Sequence, residues 1–313
     1  MSAPARAPLL SPEALARIDA MELRARLIVE GFITGLHKSP YHGFSVEFAE
    51  HRPYNAGDEL RHVDWKVWAR KDRLFVKQYE EETNLRHFVV LDTSASMRYG
   101  GAAGVTKLHY GATLAAALHA LMVRQRDATG LFAFDRAVHT ARPARATRAH
   151  LRALHATLGA LADTPPAPEP PGPQSAAAAA LHEIAERIPR RALVVVVSDL
   201  FENVAETDEL ARALRHLRHR GHEVLVFHVL DAATERAFAF PDVPVRLRDL
   251  ETGAEMTVQP AQLREHYQAA AAAFLETFRR RCRELSVDLV EIDTARPYTD
   301  ALAAYLGKRR RLY

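Results

Sequence analysis

The sequence predicts an α/β fold, a mostly parallel sheet flanked by helices, from three observations. Phe88-Val89-Val90-Leu91 and Ala192-Leu193-Val194-Val195-Val196-Val197 are apolar runs too short for helices, and they lack the alternation of a strand with one wet face. Segments of helical period alternate with such runs along the chain. Both runs end in acidic, hydroxyl-bearing residues, at the carboxyl ends of strands where open parallel sheets place their ligands.

Ser11-Pro12-Glu13 combines an N-cap, a first-turn proline and a first-turn acid. Ala14, Ile18, Met21 and Ala25 continue at helical spacing, so an N-terminal helix is expected. From Gly31 to Glu82 short runs with Gly, Pro and aromatic residues replace that period, and Leu74 to Tyr79 alternates, which predicts an irregular, β-rich piece. After the strand at Phe88–Leu91, a helix starts near Thr106 and buries Leu108, Ala112, Ala115, Leu118 and Met122. Thr129 to Phe134 and Ala137 to Thr140 read as two further strands, followed by a helix over about Arg148 to Leu161. The prolines between Asp163 and Pro173 exclude a helix there.

Ser175 caps an alanine-rich helix that runs through Leu181 and Ile184 and ends at Pro189, just before the Ala192–Val197 strand. Leu210, Ala213, Leu214 and Leu217 make a helix closed by Gly221, and Glu223 to Leu230 makes the next strand. Val245 to Leu250 and Glu255 to Val258 flank Glu251-Thr252-Gly253, a hairpin inserted at about 243–259. Leu263, Tyr267, Ala270, Phe274, Phe278 and Cys282 trace one face of a long helix. Val287 to Ile292 forms the last strand and Asp300 to Leu306 the last helix. Two regions result: residues 1–83, an N-terminal helix with a β-rich piece, and residues 84–313, the sheet domain.

With 313 residues, 48% of them hydrophobic and 26% charged, the chain can bury a core and is not disordered as a whole. Its 42 basic and 39 acidic residues leave a net charge of +3, too small to imply a nucleic-acid partner without clustering. His216, His219 and His222 lie among arginines and read as surface residues. The single cysteine, Cys282, excludes an internal disulfide and a Cys-based zinc site and suits a reducing compartment. No run approaches the roughly 18–20 apolar residues of a membrane helix, and no signal segment is evident. A cytoplasmic protein without membrane insertion is expected.

Asp92, Ser94 and Ser96 after the first strand, and Ser198 with Asp199 after the second, bring two carboxylates and several hydroxyls to one sheet edge. These are hard oxygen donors, better matched to Mg2+, or to Mn2+ or Ca2+, than to zinc. Helix capping would account for either aspartate taken alone.

Asp92-Thr93-Ser94-Ala95-Ser96 resembles the D-x-S-x-S loop of von Willebrand factor A domains, whose metal-ion-dependent adhesion site also uses a threonine and a later aspartate. The resemblance implies Asp92, Ser94, Ser96 and Asp199 as metal ligands, with Ser175 where threonine is usual. Glu47-Phe48, Arg52-Pro53-Tyr54-Asn55-Ala56-Gly57-Asp58, Arg61-His62-Val63-Asp64-Trp65 and Ala69-Arg70 resemble the signature of DUF58 proteins, as do Lys77, Tyr79, Glu81 and the later Asp249 to Gly253. That membership implies a von Willebrand factor A-like sheet domain in a non-enzymatic accessory protein. It would work beside a MoxR-type AAA+ ATPase on a protein client of unknown identity.

Other readings carry less text. A phosphoryl-transfer or hydrolytic enzyme would use Asp92 or Asp199 as nucleophile or base, yet the sequence has no P-loop, no D-x-D after the first strand and no G-x-S-x-G elbow. Arg212, Arg215, Arg218 and Arg220 with Lys308 to Arg311 would form a basic stripe for nucleic acid, but no aromatic platform accompanies them. Arg52, Asp58, Arg61, Asp64 and Arg70, with Tyr54 and Trp65, read either as a structural network or as a docking surface for the ATPase.

Overall fold

The computed structural model describes residues 11–37, 51–53, 75–77, 86–101, 104–164, 177–199 and 207–310. The chain divides into two compact units, Met1–Ile33 with Leu85–Tyr313, and Thr34–Asn84. In the second unit, β1 (His51–Pro53) pairs antiparallel with β2 (Phe75–Lys77), setting Arg52 opposite Val76. Tyr54, Asp58, Arg61, Asp64, Trp65 and Arg70 lie outside the described residues, as do Ser175 and residues 165–173 of the proline stretch.

The larger unit is built on β3 (Arg86–Asp92), β4 (Ala128–Phe134), β5 (Val138–Arg145), β6 (Ala192–Ser198), β7 (Glu223–Leu230) and β10 (Asp288–Asp293). Their order is β10-β7-β6-β3-β4-β5, parallel throughout except for the antiparallel β4–β5 pair at one edge. Side chains alternate across the pleat, so Phe88, Val90, Val194, Val196, Val224 and Val226 share one core with α5 (Ala177–Arg187), α6 (Thr207–His219) and the C-terminal part of α7 (Pro260–Glu284). Leu91 and Val197 face the other way, against Gly111 of α3 (Lys107–Arg124). α4 (Arg148–Asp163) packs on α3, and α8 (Tyr298–Arg310) packs on α3, β7 and β10. Fully burying each Val or Leu of these strands contributes about 1.5–3 kcal/mol relative to exposure. The small hairpin of β8 (Val245–Arg248) and β9 (Glu255–Val258) interrupts the alternation before α7.

One close approach sets a residue type. Gly130 lies opposite Phe88, and a Cβ there would come 2.6 Å from Phe88 Cε1 and 2.7 Å from the Arg142 carbonyl oxygen. The carbonyl belongs to the paired strand and cannot swing aside. Gly130→Ala is expected to lose about 1–3 kcal/mol of stability by overpacking, measurable as a lower urea midpoint at constant m-value.

Several expectations need correction. The N-terminal helix is two, α1 (Pro12–Ala16) and α2 (Met21–His37): the Ile18 carbonyl, which a continuous helix would offer to the amide four residues on, accepts instead from Arg24 Nε. α2 then runs through Gly31 to His37, where the loss of period predicted irregular structure. Residues 11–33 belong with the sheet unit, since Ala25, Ile28, Val29 and Phe32 are buried and Arg24 Nη1 reaches His109 Nε2 at 2.6 Å. β5 extends past Thr140 to Arg145 because an edge strand tolerates Pro143.

On α7 only the C-terminal half buries the predicted stripe. Leu263 and Ala270 are exposed, and in the N-terminal half Arg264, Tyr267 and Gln268 instead hold the helix by hydrogen bonds to carbonyls of residues 235–240. His222 is buried, its Nδ1 accepting from Ala192 N–H at 3.3 Å, so it is not a surface residue. Lys308 and Arg309 are not a loose basic tail. Lys308 bridges Glu223 and Asp288, each at 3.0 Å, and Arg309 pairs with Asp127 at 2.5 Å.

Candidate metal centre

Parallel pairing of β3 with β6 carries Asp92 and Ser198-Asp199 to the same, carboxyl-terminal edge of the sheet. Asp92 Oδ2 accepts from Ser198 Oγ at 2.6 Å, joining residues 106 positions apart, and Asp92 Oδ1 accepts from the Ser94 amide at 2.9 Å. The Ser94 and Ser96 hydroxyls meet at 3.1 Å. A short 3-10 turn, Ser96–Arg98, drops Met97 into the core and anchors the loop. Thr93 turns away, bonding the Phe134 carbonyl and His139 Nε2, both at 2.8 Å. The structure therefore gathers Asp92, Ser94, Ser96 and Asp199, the described members of the expected set; Ser175 falls outside the described residues.

The electrostatics are uneven across this edge. Burial raises the Asp92 carboxyl to about 7, the Asp199 charge adds to the rise, and hydrogen bonds from Ser198 and Ser94 offset part of it. Among the described residues no cation pairs with Asp92. Asp199 differs, because Lys107 Nζ lies 2.7 Å from its Oδ2 and 2.5 Å from Glu235 Oε1, in a triad whose lysine and aspartate are buried and whose glutamate is half-buried. Glu235 Oε2 also accepts from the Asp231 amide at 2.7 Å, and the Tyr99 ring lies 5.7 Å from the Lys107 ammonium. Gly101 closes over Asp231 so tightly that a Cβ would come 2.3 Å from its Oδ2.

Lys107, Asp231, Glu235 and Glu251, whose Oε1 accepts from the Ser96 amide at 2.7 Å, were not foreseen as site residues. Lys107 had left one signal. It opens α3 just after the Thr106 cap, where the helix dipole disfavours a cation, and a buried cation there implies anions close by. No three His, Cys, Asp or Glu side chains among the described residues form a metal cluster. Asp92 with Ser94 and Ser96 supplies hard oxygens, and a cation there would favour the ionised carboxylate that burial and Asp199 oppose, which fits a divalent cation such as Mg2+.

A doubly wound sheet with one antiparallel edge strand, whose central strand delivers a D-x-S-x-S loop to the carboxyl-terminal edge, defines a von Willebrand factor A-like domain. The chain belongs to the DUF58 family: the family model described as "Protein of unknown function DUF58" matches residues 50–276. The chain is 31% identical over 309 residues to "Uncharacterized protein Rv1480" of Mycobacterium tuberculosis (strain ATCC 25618 / H37Rv), an alignment that covers 98% of this chain and 93% of that protein. Among solved structures, the conserved hypothetical protein BatB from Bacteroides thetaiotaomicron aligns with a TM-score of 0.45 and 14% identity, covering 72% of this chain and 99% of its own. The von Willebrand factor type A structure from Catenulispora acidiphila aligns with a TM-score of 0.31 and 16% identity, covering 61% and 42% respectively. Among the described residues no helix is long and apolar enough to cross a membrane.

Proposed function

We propose that this protein is a non-enzymatic adaptor that binds a divalent cation, Mg2+ or a hard equivalent, and uses it to capture an acidic side chain of a partner protein. The observation that carries this reading is Asp92, a buried carboxylate beside two converging serine hydroxyls and without an ion-pair partner among the described residues. Asp92, Ser94 and Ser96 would hold the cation, Asp199 would act from behind through its charge or a water, and Ser175 joins the set on the family resemblance alone. Bound there, the cation would supply charge neutralisation and an open position for a carboxylate. The interaction would be switchable by metal without any turnover.

The partner we propose is a MoxR-type AAA+ ATPase in the cytoplasm, acting with this chain on an unidentified client in protein maturation or remodelling. That partner is what the DUF58 resemblance implies, and the buried, free Cys282 fits a reducing compartment. A pull-down from the native host with Mg2+ or with EDTA tests it: retention of an AAA+ ATPase only with Mg2+ is the expected result. Equal retention under both conditions removes the metal from the mechanism.

Asp92→Asn separates fold from function. Asparagine keeps an acceptor for the Ser94 amide and removes the charge that Asp199 opposes. In EDTA the variant is therefore expected to be more stable than wild type by about 1–2 kcal/mol, while losing Mg2+ binding. Urea denaturation and metal titration on the same sample check both halves, and a variant that still binds Mg2+ sinks the assignment of Asp92.

A further inference from the structure

The β8–β9 hairpin brings its turn to the metal loop. Glu251 Oε1 accepts from the Ser96 amide at 2.7 Å, across 155 positions of sequence. The turn is built to aim that side chain: Asp249 Oδ1 accepts from the amides of Glu251 (2.8 Å) and Thr252 (3.3 Å), and Asp249 Oδ2 accepts from the Thr252 hydroxyl at 2.6 Å. Gly253 completes it at φ +73°, a conformation side chains resist. Apolar burial does not hold the tip in place, since Leu250 is 43% and Met256 62% exposed. The amide hydrogen bond fixes the Glu251 carboxylate on the loop that carries Ser94 and Ser96, and a dication held there would draw it in.

Resting on the metal-binding reading above, we propose that Glu251 is the chain's own acidic occupant of the site: its carboxylate completes the coordination of the cation when no partner is bound, and a partner's acid gains that position by displacing the hairpin. The hairpin is then the element through which metal and partner compete. By linkage, whatever Glu251 adds to metal affinity the metal returns to hairpin docking.

Titration with Mn2+ alone tests this in the full chain. Glu251→Gln keeps an oxygen acceptor for the Ser96 amide and loses only the charge, so a role limited to pinning the loop leaves Mn2+ affinity within about twofold of wild type. The expected result is a loss of about tenfold or more. Asp249→Ala, which loosens the turn and leaves Glu251 in the sequence, is expected to weaken binding severalfold. Hydrogen exchange supplies a second readout: in wild type Mn2+ slows exchange at Ser96 and at Thr252 to Ala254, whereas in Glu251→Gln the hairpin amides do not respond. If wild type binds Mn2+ and Glu251→Gln matches it in affinity and exchange, this inference is overturned while the metal site stands. A folded wild type that ignores Mn2+ overturns both.

Discussion

Lys107→Met lowers the unfolding free energy by about 3–5 kcal/mol at pH 7, the range expected when one partner of a buried ion pair is removed. The Lys107 side chain is 1% exposed, Asp199 2% and Glu235 14%, so Asp199 would be left without solvent to compensate it and Glu235 with little. Burial pulls the Lys107 ammonium down, but Asp199 and Glu235 outweigh it and the net shift is upward. For Glu235 burial wins and the shift is also upward, Lys107 offsetting it only in part. The asymmetry is physical, because one cation draws on two anions while Glu235 shares that cation with Asp199. Once Lys107 is gone, nothing offsets the burial of Glu235, whose carboxyl binds a proton more readily folded than unfolded. That protonated state contributes most below its unfolded value and is lost as the pH rises, so the deficit against wild type is largest near pH 7.5 and smaller near pH 5. Urea denaturation of both proteins at the two pH values measures it. A deficit under about 1 kcal/mol at both would mean that the triad does not hold this edge together.

The parts of the fold legible in the sequence are those where burial is complete. β3 and β6 are covered on both faces, so Phe88 to Leu91 and Ala192 to Val197 are apolar without a break, and the polar residues that follow each run mark the sheet edge. Asp92, Ser94, Ser96 and Asp199 stood out for that reason. Lys107 and Glu235 did not, because a lysine in a helix and a glutamate in a short π-turn look like solvated residues until topology places them beside Asp199. The hairpin was visible from its turn residues, but the contact from Glu251 to Ser96 depends on tertiary placement that a local pattern does not encode. The same holds for the C-terminal cations: Lys308 and Arg309 find Glu223, Asp288 and Asp127 only after β7, β10 and α3 are assembled. In α7 the apolar period continues beyond the core, so periodicity alone overstated the buried length.

Acidification is expected to cost this protein on the order of 3–5 kcal/mol between pH 6.5 and pH 4, chiefly through three buried histidines. His87 and His119 sit in the core of the sheet unit, and both Nδ1 atoms contact the Thr129 hydroxyl, at 2.9 and 2.6 Å. That hydroxyl has one proton to give, so at most one ring accepts from it and at least one donates to it, and burial keeps both rings neutral near pH 7. Tyr305 packs its ring against His87, His150 and His155 face His119, and Arg309, paired with Asp127, adds positive charge nearby. Burial lowers His87 to about 3, with Arg309 adding to it. Burial likewise lowers His119 well below its ordinary value, helped by His87, His155 and His150, and lowers His222 to about 4. Between roughly pH 6.5 and these depressed values the unfolded chain binds the protons and the folded chain refuses them, so stability falls as the pH falls. The raised carboxyls of Asp92, Asp127 and Glu235 work the other way, since the folded chain holds their protons to higher pH, and they soften the decline near neutrality. His119→Gln keeps a side-chain amide for the Thr129 hydroxyl and removes one titrating group. Whatever it costs at pH 7, it is expected to flatten stability against pH by about 1.4 kcal/mol per pH unit between pH 4.5 and 5.5, one proton's worth. Urea titrations at half-unit pH intervals read that slope directly, and a slope equal to wild type would show that His119 takes up its proton in the folded state as readily as in the unfolded one.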